Sequence, residues 1–133
     1  MAESSVIKKL RLKPGQKAVI MNAPQGFVDG LGSLPEGVRI FLEGVDDAEF
    51  MLLFVKDKTE LDRYFDQALQ SIVYDGLFWL AYPKGGSKIK SDLNRDILWK
   101  LLSTRGIRPV AMISIDEVWA AMRFRPEQEV GGN

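Results

Sequence analysis

The sequence has 133 residues, 46% hydrophobic and 27% charged, with 18 basic and 18 acidic side chains that cancel. This is the composition of one ordinary globular domain, able to bury roughly two-thirds of its unfolded surface, and its zero net charge supplies no global field for nucleic acid or an acidic membrane. Histidine and cysteine are both absent, which excludes thiolate nucleophiles, disulfides, imidazole or thiolate metal sites, Ser-His-Asp triads and histidine acid-base chemistry.

The start, Met1 to Ser5, has no basic region leading into a long apolar stretch, and no apolar run approaches the ~18 residues that cross a bilayer. A cytoplasmic, bacterial-type protein without membrane contact is expected. Ser4 or Ser5 can cap a short helix carrying Val6, Ile7 and Leu10, which Pro14-Gly15 stops. Ala18 to Met21 reads as a first strand, Asn22-Ala23-Pro24-Gln25-Gly26 as a turn, and Phe27 to Leu31 as a weak helical turn. After Pro35-Glu36-Gly37, Val38 to Leu42 is a second strand; Phe50 to Val55, apolar throughout, is a central one. Leu61, Tyr64, Phe65, Ala68, Leu69 and Ile72 recur at helical steps behind a capping box formed by Asp57 and Glu60.

Asp75-Gly76 should end that helix, and Leu77 to Tyr82 is a fourth strand running into Pro83. A loop rich in Gly, Lys and Ser precedes a helix capped by Ser91 or Asp92, with Leu93, Ile97, Leu98 and Leu101 turned inward and Gly106 at its end. The runs Val110 to Ile115 and Val118 to Phe124 are separated only by Asp116-Glu117, a gap that forces an antiparallel hairpin. Trp79 and Trp119 lie in apolar strands and are expected in the core. The predicted architecture is a single α/β domain over residues 4–125, a three-layer Rossmann-like sandwich around a mostly parallel sheet of about six strands. Residues 126–133 are expected to be a disordered tail.

The lead-in Leu12-Lys13-Pro14-Gly15-Gln16-Lys17-Ala18-Val19-Ile20, the stretch from Ala68-Leu69 to Gly76-Leu77-Phe78-Trp79, and the closing Trp119 to Phe124 hairpin resemble class I S-adenosylmethionine methyltransferases in their order of elements. The resemblance implies strand order 2-1-3-4-6-5 with the sixth strand antiparallel. Such enzymes carry an acidic, glycine-rich loop after the first strand, because bare backbone must approach the cofactor. Here Asn22-Ala23-Pro24-Gln25-Gly26 stands there: Pro24 removes a donor and only Gly26 permits close approach. Glu43 stands where the resemblance would put a ribose-binding acid. The whole chain more closely resembles a family of short bacterial proteins of unknown function, through Lys13-Pro14-Gly15, Asn22-Ala23-Pro24 with Gly26-Phe27, and Tyr82-Pro83-Lys84 with Ser91-Asp92-Leu93. It implies a methyltransferase-like fold lacking the cofactor loop, with no cofactor and S-adenosylmethionine disfavoured.

The best local candidate for chemistry is Lys84, Gly85, Gly86, Ser87, Lys88 and Ser91, a loop between a strand and a helix where lysines, glycines and a helix N-terminus suit a phosphate or carboxylate. It is not a Walker A loop, and a merely solvated loop explains the same residues. With Asn22, Pro24, Gly26, Glu43 and Asp92 it completes a candidate ligand cleft at the carboxyl ends of strands one and four; Asn22, Lys84, Asp92 and Asp116 are all expected at one sheet edge. No catalytic residue and no metal ligand set is assigned. Charge is uneven: Lys84 to Arg108 holds seven basic residues against two acids, and Glu43 to Asp66 eight acids against three basic residues. These blocks suit a docking surface or a weak dimer, or simply solvated helix faces. Trp99 alone on the basic helix is thin support for nucleic acid. The preferred reading is a non-catalytic binding or regulatory module; the alternatives are an enzyme acting on a small molecule or nucleotide in that cleft, and a protein-interaction subunit.

Overall fold

The computed structural model describes residues 5–130. Nine regular elements follow in order: α1 (Ser5–Leu10), β1 (Lys17–Met21), β2 (Arg39–Phe41), β3 (Ala48–Phe54), α2 (Lys58–Ser71), β4 (Ile72–Pro83), α3 (Arg95–Ser103), β5 (Ile107–Ser114) and β6 (Trp119–Pro126), with short 3-10 turns at Asp29–Leu31 and Glu127–Glu129. The strands form one sheet in the order β2-β1-β3-β4-β6-β5. The first four run parallel, and β6 pairs antiparallel with both β4 and β5. This is the Rossmann-like α/β arrangement expected from the sequence, with its antiparallel hairpin. Among the described residues no helix is long and apolar enough to cross a membrane. Ser4, one of the two expected caps of α1, lies outside the described residues.

The two faces of the sheet are covered unequally. On one, α2 and α3 pack Leu61, Phe65, Ala68, Leu98 and Leu102 against Met51, Leu53, Phe78, Leu80 and Met122. On the other, the six-residue α1 supplies Ile7 and Leu10, and the loop after β1 supplies Leu31 and Phe27, over Phe50, Leu52, Phe54 and Trp79. Trp79 is 1% exposed, and its indole N–H donates to the Leu10 carbonyl (2.9 Å), fastening α1 to the sheet. Trp119 is buried on the same face, as expected.

One connection is unusually short, and three local differences from the expected pattern have physical reasons. The crossover from β2 to β3 is only the six residues Leu42 to Asp47, about half the length such connections ordinarily need. The three-residue β2 leaves only ~10 Å to climb back, and the loop presses so close to α2 that a Cβ on Gly44 would stand 2.6 Å from Ser71 Oγ. Next, β4 begins directly at Ile72 rather than after Asp75-Gly76. Those two residues form a bulge instead: the pairing with β3 jumps from Ile72 to Leu77, Asp75 takes a left-handed φ of 58°, and a Cβ on Gly76 would lie 2.7 Å from Ile72 Cγ1.

The helix α3 is capped by Asn94, whose side chain accepts from the Ile97 N–H at 2.9 Å, rather than by Ser91 or Asp92. That later start turns Leu102 inward and leaves Leu101 39% exposed, against the expectation for Leu101. The stretch expected to be a tail from Pro126 closes β6 and enters the Glu127–Glu129 turn, where Arg108 binds Glu127 (2.7 Å) and the Tyr74 hydroxyl bonds to Gln128 and Glu129. Residues 131–133 of that stretch lie outside the described residues.

Candidate functional site

In an open α/β sheet the ligand crevice opens beyond the carboxyl ends of the strands, where neighbouring strands leave in opposite directions. Here that point is between β1 and β3, because the chain leaves β1 toward β2 and leaves β3 toward β4. Asn22 closes it. It sits at φ 60°, and its Nδ2 donates to the carbonyl of Phe54 (2.8 Å) and to Glu60 Oε1 (3.1 Å). Glu60 Oε1 also accepts from the Lys56 N–H (2.8 Å), while the Glu60 N–H donates to Asp57 Oδ1 (2.9 Å) in the expected cap of α2. The strand end is therefore tied to the first turn of α2 by a hydrogen-bonded chain.

Aromatic rings fill the adjoining space. Phe27 meets Phe54 edge-on (4.8 Å between centroids), and Phe54 meets Trp119 likewise (5.1 Å). The turn that brings Phe27 there runs from Pro24 to Phe27, closed by Phe27 N–H to Pro24 O (3.1 Å), with Gly26 at φ 85°. Gly26 thus serves the turn geometry.

Among the described residues two hollows open at this edge in place of the one cleft expected between the Asn22 and Lys84 segments. A hollow of about 390 Å³ beside β1 and β2 is lined by Asn22, Ala23, Pro24, Gly26, Asp29 and Leu42, among others. Glu43 is exposed beyond β2 and outside that lining. A second cleft, of about 490 Å³, lies past the end of β4 between α3 and the hairpin, with Tyr82, Lys84, Gly85, Asn94, Arg95, Met112 and Ser114 on its walls. Lys84 Nζ donates to Ser114 Oγ (2.6 Å), and the part-buried Tyr82 hydroxyl donates to Met112 Sδ (3.2 Å). Burial pushes the Tyr82 phenol up, against a smaller lowering by Arg95.

Of the expected loop residues, only Lys84 and Gly85 reach this cleft. Gly86 takes φ 79° in the turn closed by the Ser87 N–H and the Lys84 carbonyl (3.1 Å). The Ser87 hydroxyl donates to the Ile89 carbonyl, and Ser91 Oγ accepts from the Leu93 N–H. Lys88 is exposed. Asp92 Oδ1 accepts from the Lys58 N–H (2.9 Å), capping α2 from outside. Asp116, which accepts from the N–H groups of Val118 and Trp119, holds the hairpin turn. Asn22, Lys84, Asp92 and Asp116 do share one edge of the sheet, but each already has a structural partner.

The charge blocks also partly neutralise one another. Arg105 of the basic stretch pairs with Asp66 of the acidic one and lies over the Phe65 ring (4.6 Å), and Arg108 pairs with Glu127. Among the described residues no group of three or more acidic side chains could hold a metal ion.

No family model matches the sequence, and no curated protein matches it. Solved structures match in fold. A SAM dependent methyltransferase from Aquifex aeolicus is 13% identical with a TM-score of 0.54, over 90% of this chain and 86% of that one. A ribosomal protein L11 methylase from Lactobacillus delbrueckii subsp. bulgaricus is 9% identical with a TM-score of 0.56, over 92% and 75%. A protein in the NADB-Rossmann superfamily from Streptococcus agalactiae is 12% identical with a TM-score of 0.52, over 95% and 69%. The fold of this chain is methyltransferase-like.

Proposed function

We propose that the protein is a binding module that keeps a methyltransferase-like fold and works without S-adenosylmethionine. The observation that carries this reading is the Asn22 side chain, which spans the crevice between β1 and β3 and spends both amide hydrogens on Phe54 O and Glu60 Oε1. A cofactor there would have to break those bonds and take the Asn22 donor from the Phe54 carbonyl, at about 1–3 kcal/mol, while Glu60 Oε1 would keep only the Lys56 N–H. Pro24 supplies no N–H to replace them, and Glu43 is outside the hollow beside β1. Fold likeness carries no activity by itself.

The ligand of this module is a small organic anion seated in the cleft past β4. There Lys84, just past β4, and Arg95, opening α3 and paired with Asp96 (3.8 Å), share the cleft with the apolar Met112 and Ala120, an arrangement that suits a molecule with one anionic and one apolar end. Calorimetric titration with S-adenosylmethionine and S-adenosylhomocysteine, followed by amide chemical shifts, tests both parts. No heat is expected from either adenosyl compound, and shifts at Gly85, Arg95 and Ser114 are expected from small carboxylates or phosphomonoesters. Micromolar binding of S-adenosylmethionine with shifts at Asn22 to Phe27 would overturn the reading.

A further inference from the structure

The covering of the α1 face is incomplete. Past the end of α1 the outer part of the β5–β6 surface is left partly uncovered, with Val110 39% exposed, and a depression of about 340 Å³ opens there, walled by Lys9, Arg11, Arg123 and Arg125 over Val110 and Ile113. Four cations line it, and its walls include no carboxylate. Arg125 is compensated from outside the walls: its guanidinium makes two hydrogen bonds to Asp75 (2.9 and 2.7 Å), which hold the Asp75 carboxyl below its ordinary range. None of the other three makes an ion pair among the described residues. Lys9 reaches only a backbone carbonyl, that of Ser114 (3.2 Å). The guanidiniums of Arg11 and Arg123 have no hydrogen-bond or ion-pair partner among the described residues, and Arg123 Nε is buried without one.

A buried donor without an acceptor is costly, and so are like charges placed together. Burial first, then Arg11 and Arg125, lower the pKa of Arg123, with Asp75 opposing weakly. Arg11 adds backbone strain: it takes φ 64° just past α1, a conformation that glycine adopts freely and arginine does not. Unsatisfied donors, mutual repulsion and a strained arginine thus converge on one concave surface. An anion seated between the guanidiniums would relieve their mutual repulsion and accept from their exposed N–H groups.

We propose that this depression binds a small polyphosphate, with Arg123 and Arg11 as its principal ligands and Lys9 as a third charge. A compact dianion or trianion matches three uncompensated cations around a hollow of this size. A nucleic acid strand is disfavoured, because the tryptophan in the wall, Trp79, is buried and offers no ring to a base. The depression shares only Ile113 with the walls of the cleft past β4, so either site can fail without the other.

Pyrophosphate is the probe. Titrated into the full chain at low ionic strength, it should raise the melting temperature and shift the amides of Arg11, Ala111 and Arg123, leaving those of Gly85 and Arg95 in place. Arg123→Met, which keeps the stem and removes the fork, should weaken binding at least about tenfold, as loss of a charge-assisted pair does. Arg11→Gly should relieve the left-handed strain, so that the free protein melts higher while affinity still falls. Arg39→Gln, which removes an exposed cation on the far strand β2, should change neither. Absence of binding, equal affinity in Arg123→Met and Arg39→Gln, or shifts confined to Gly85 and Arg95 would overturn the proposal. So would a single-stranded oligonucleotide that displaces pyrophosphate from Arg123 at lower concentration, which would assign the depression to nucleic acid.

Discussion

The crevice between β1 and β3 and the depression beside α1 are both concave and polar, yet they differ in whether their polar groups are satisfied. At the crevice, where the fold class puts ligands, Asn22, Glu60 and Asp57 bond to one another and to the backbone. In the depression, two guanidiniums face a hollow with nothing to bind. Hydrogen bonding that is complete within the chain is a structural device. Polar groups held together and left without partners are free to take a partner from outside, and in this molecule they lie away from the crevice where the fold class puts ligands.

That contrast can be broken most severely at Trp79, which underlies the depression and anchors α1. Trp79→Ala removes a side chain that is 1% exposed and its bond to Leu10. The expected loss is about 3–5 kcal/mol in urea unfolding, and pyrophosphate binding should vanish with it, because Lys9 and Arg11 depend on the docking of α1. Retained binding in a folded Trp79→Ala protein would mean that α1 does not organise the site.

Asn22→Ala tests the crevice with a smaller effect. It strips two hydrogen bonds, leaves the Phe54 carbonyl and Glu60 short of a donor, and puts alanine at φ 60°. About 1–3 kcal/mol should be lost, with pyrophosphate affinity unchanged. A parallel loss of affinity would couple the two regions and dissolve the distinction between them.

Much of the fold was legible because its signals are local. The stripe from Leu61 to Ile72 gave α2, and the Asp116-Glu117 gap gave the hairpin and hence the antiparallel end of the sheet. The resemblance supplied the strand order. What escaped depends on competition between neighbours. Ser91, Asp92 and Asn94 are all good caps, and tertiary contact with Lys58 drew Asp92 away from α3. Asp75-Gly76 reads as a stop, yet the sheet absorbed it as a bulge.

The candidate site was legible only in part for the same reason. Lys84 and Gly85 reach a cleft, but Arg95 and Ser114, which complete it, carry no motif. The depression joins residues more than a hundred positions apart, which no sequence window spans. Its one local trace is Arg123-Phe124-Arg125: strand alternation puts two arginines on one face and Phe124 in the core.

The pair of Asp75 and Arg125 marks the border of the depression and should show in acid. The Arg125 hydrogen bonds lower the Asp75 pKa in the folded state, burial opposing. A depressed carboxyl contributes stability that is whole above its ordinary unfolded value and is lost as pH falls through the folded one. Asn tolerates the left-handed backbone as Asp does, so Asp75→Asn isolates the charge. At neutral pH it should cost up to about 1 kcal/mol, as expected for a partly exposed pair, and the two unfolding curves should converge on acidification. A gap that persists in acid would assign the cost to packing at the bulge.

The smallest expected effect has the opposite sign. Removing a charge that the fold disfavours should help the free protein, because Arg123 is lowered by burial and by Arg11 and Arg125. Arg123→Met keeps the stem over Trp79 and deletes the buried, unpartnered Nε. Unfolding without ligand should therefore be harder by a few tenths of a kcal/mol, roughly the scale of a partly screened like-charge contact, and the gain should shrink as salt screens the repulsion. Unlike Trp79→Ala, Asn22→Ala and Asp75→Asn, this substitution should stabilise the free chain, while cutting back the stabilisation that pyrophosphate gives to the wild type. A protein that retains a destabilising charge is explained by a ligand for it; if Arg123→Met instead destabilises at every salt concentration, the guanidinium is structural and the two concave regions are alike.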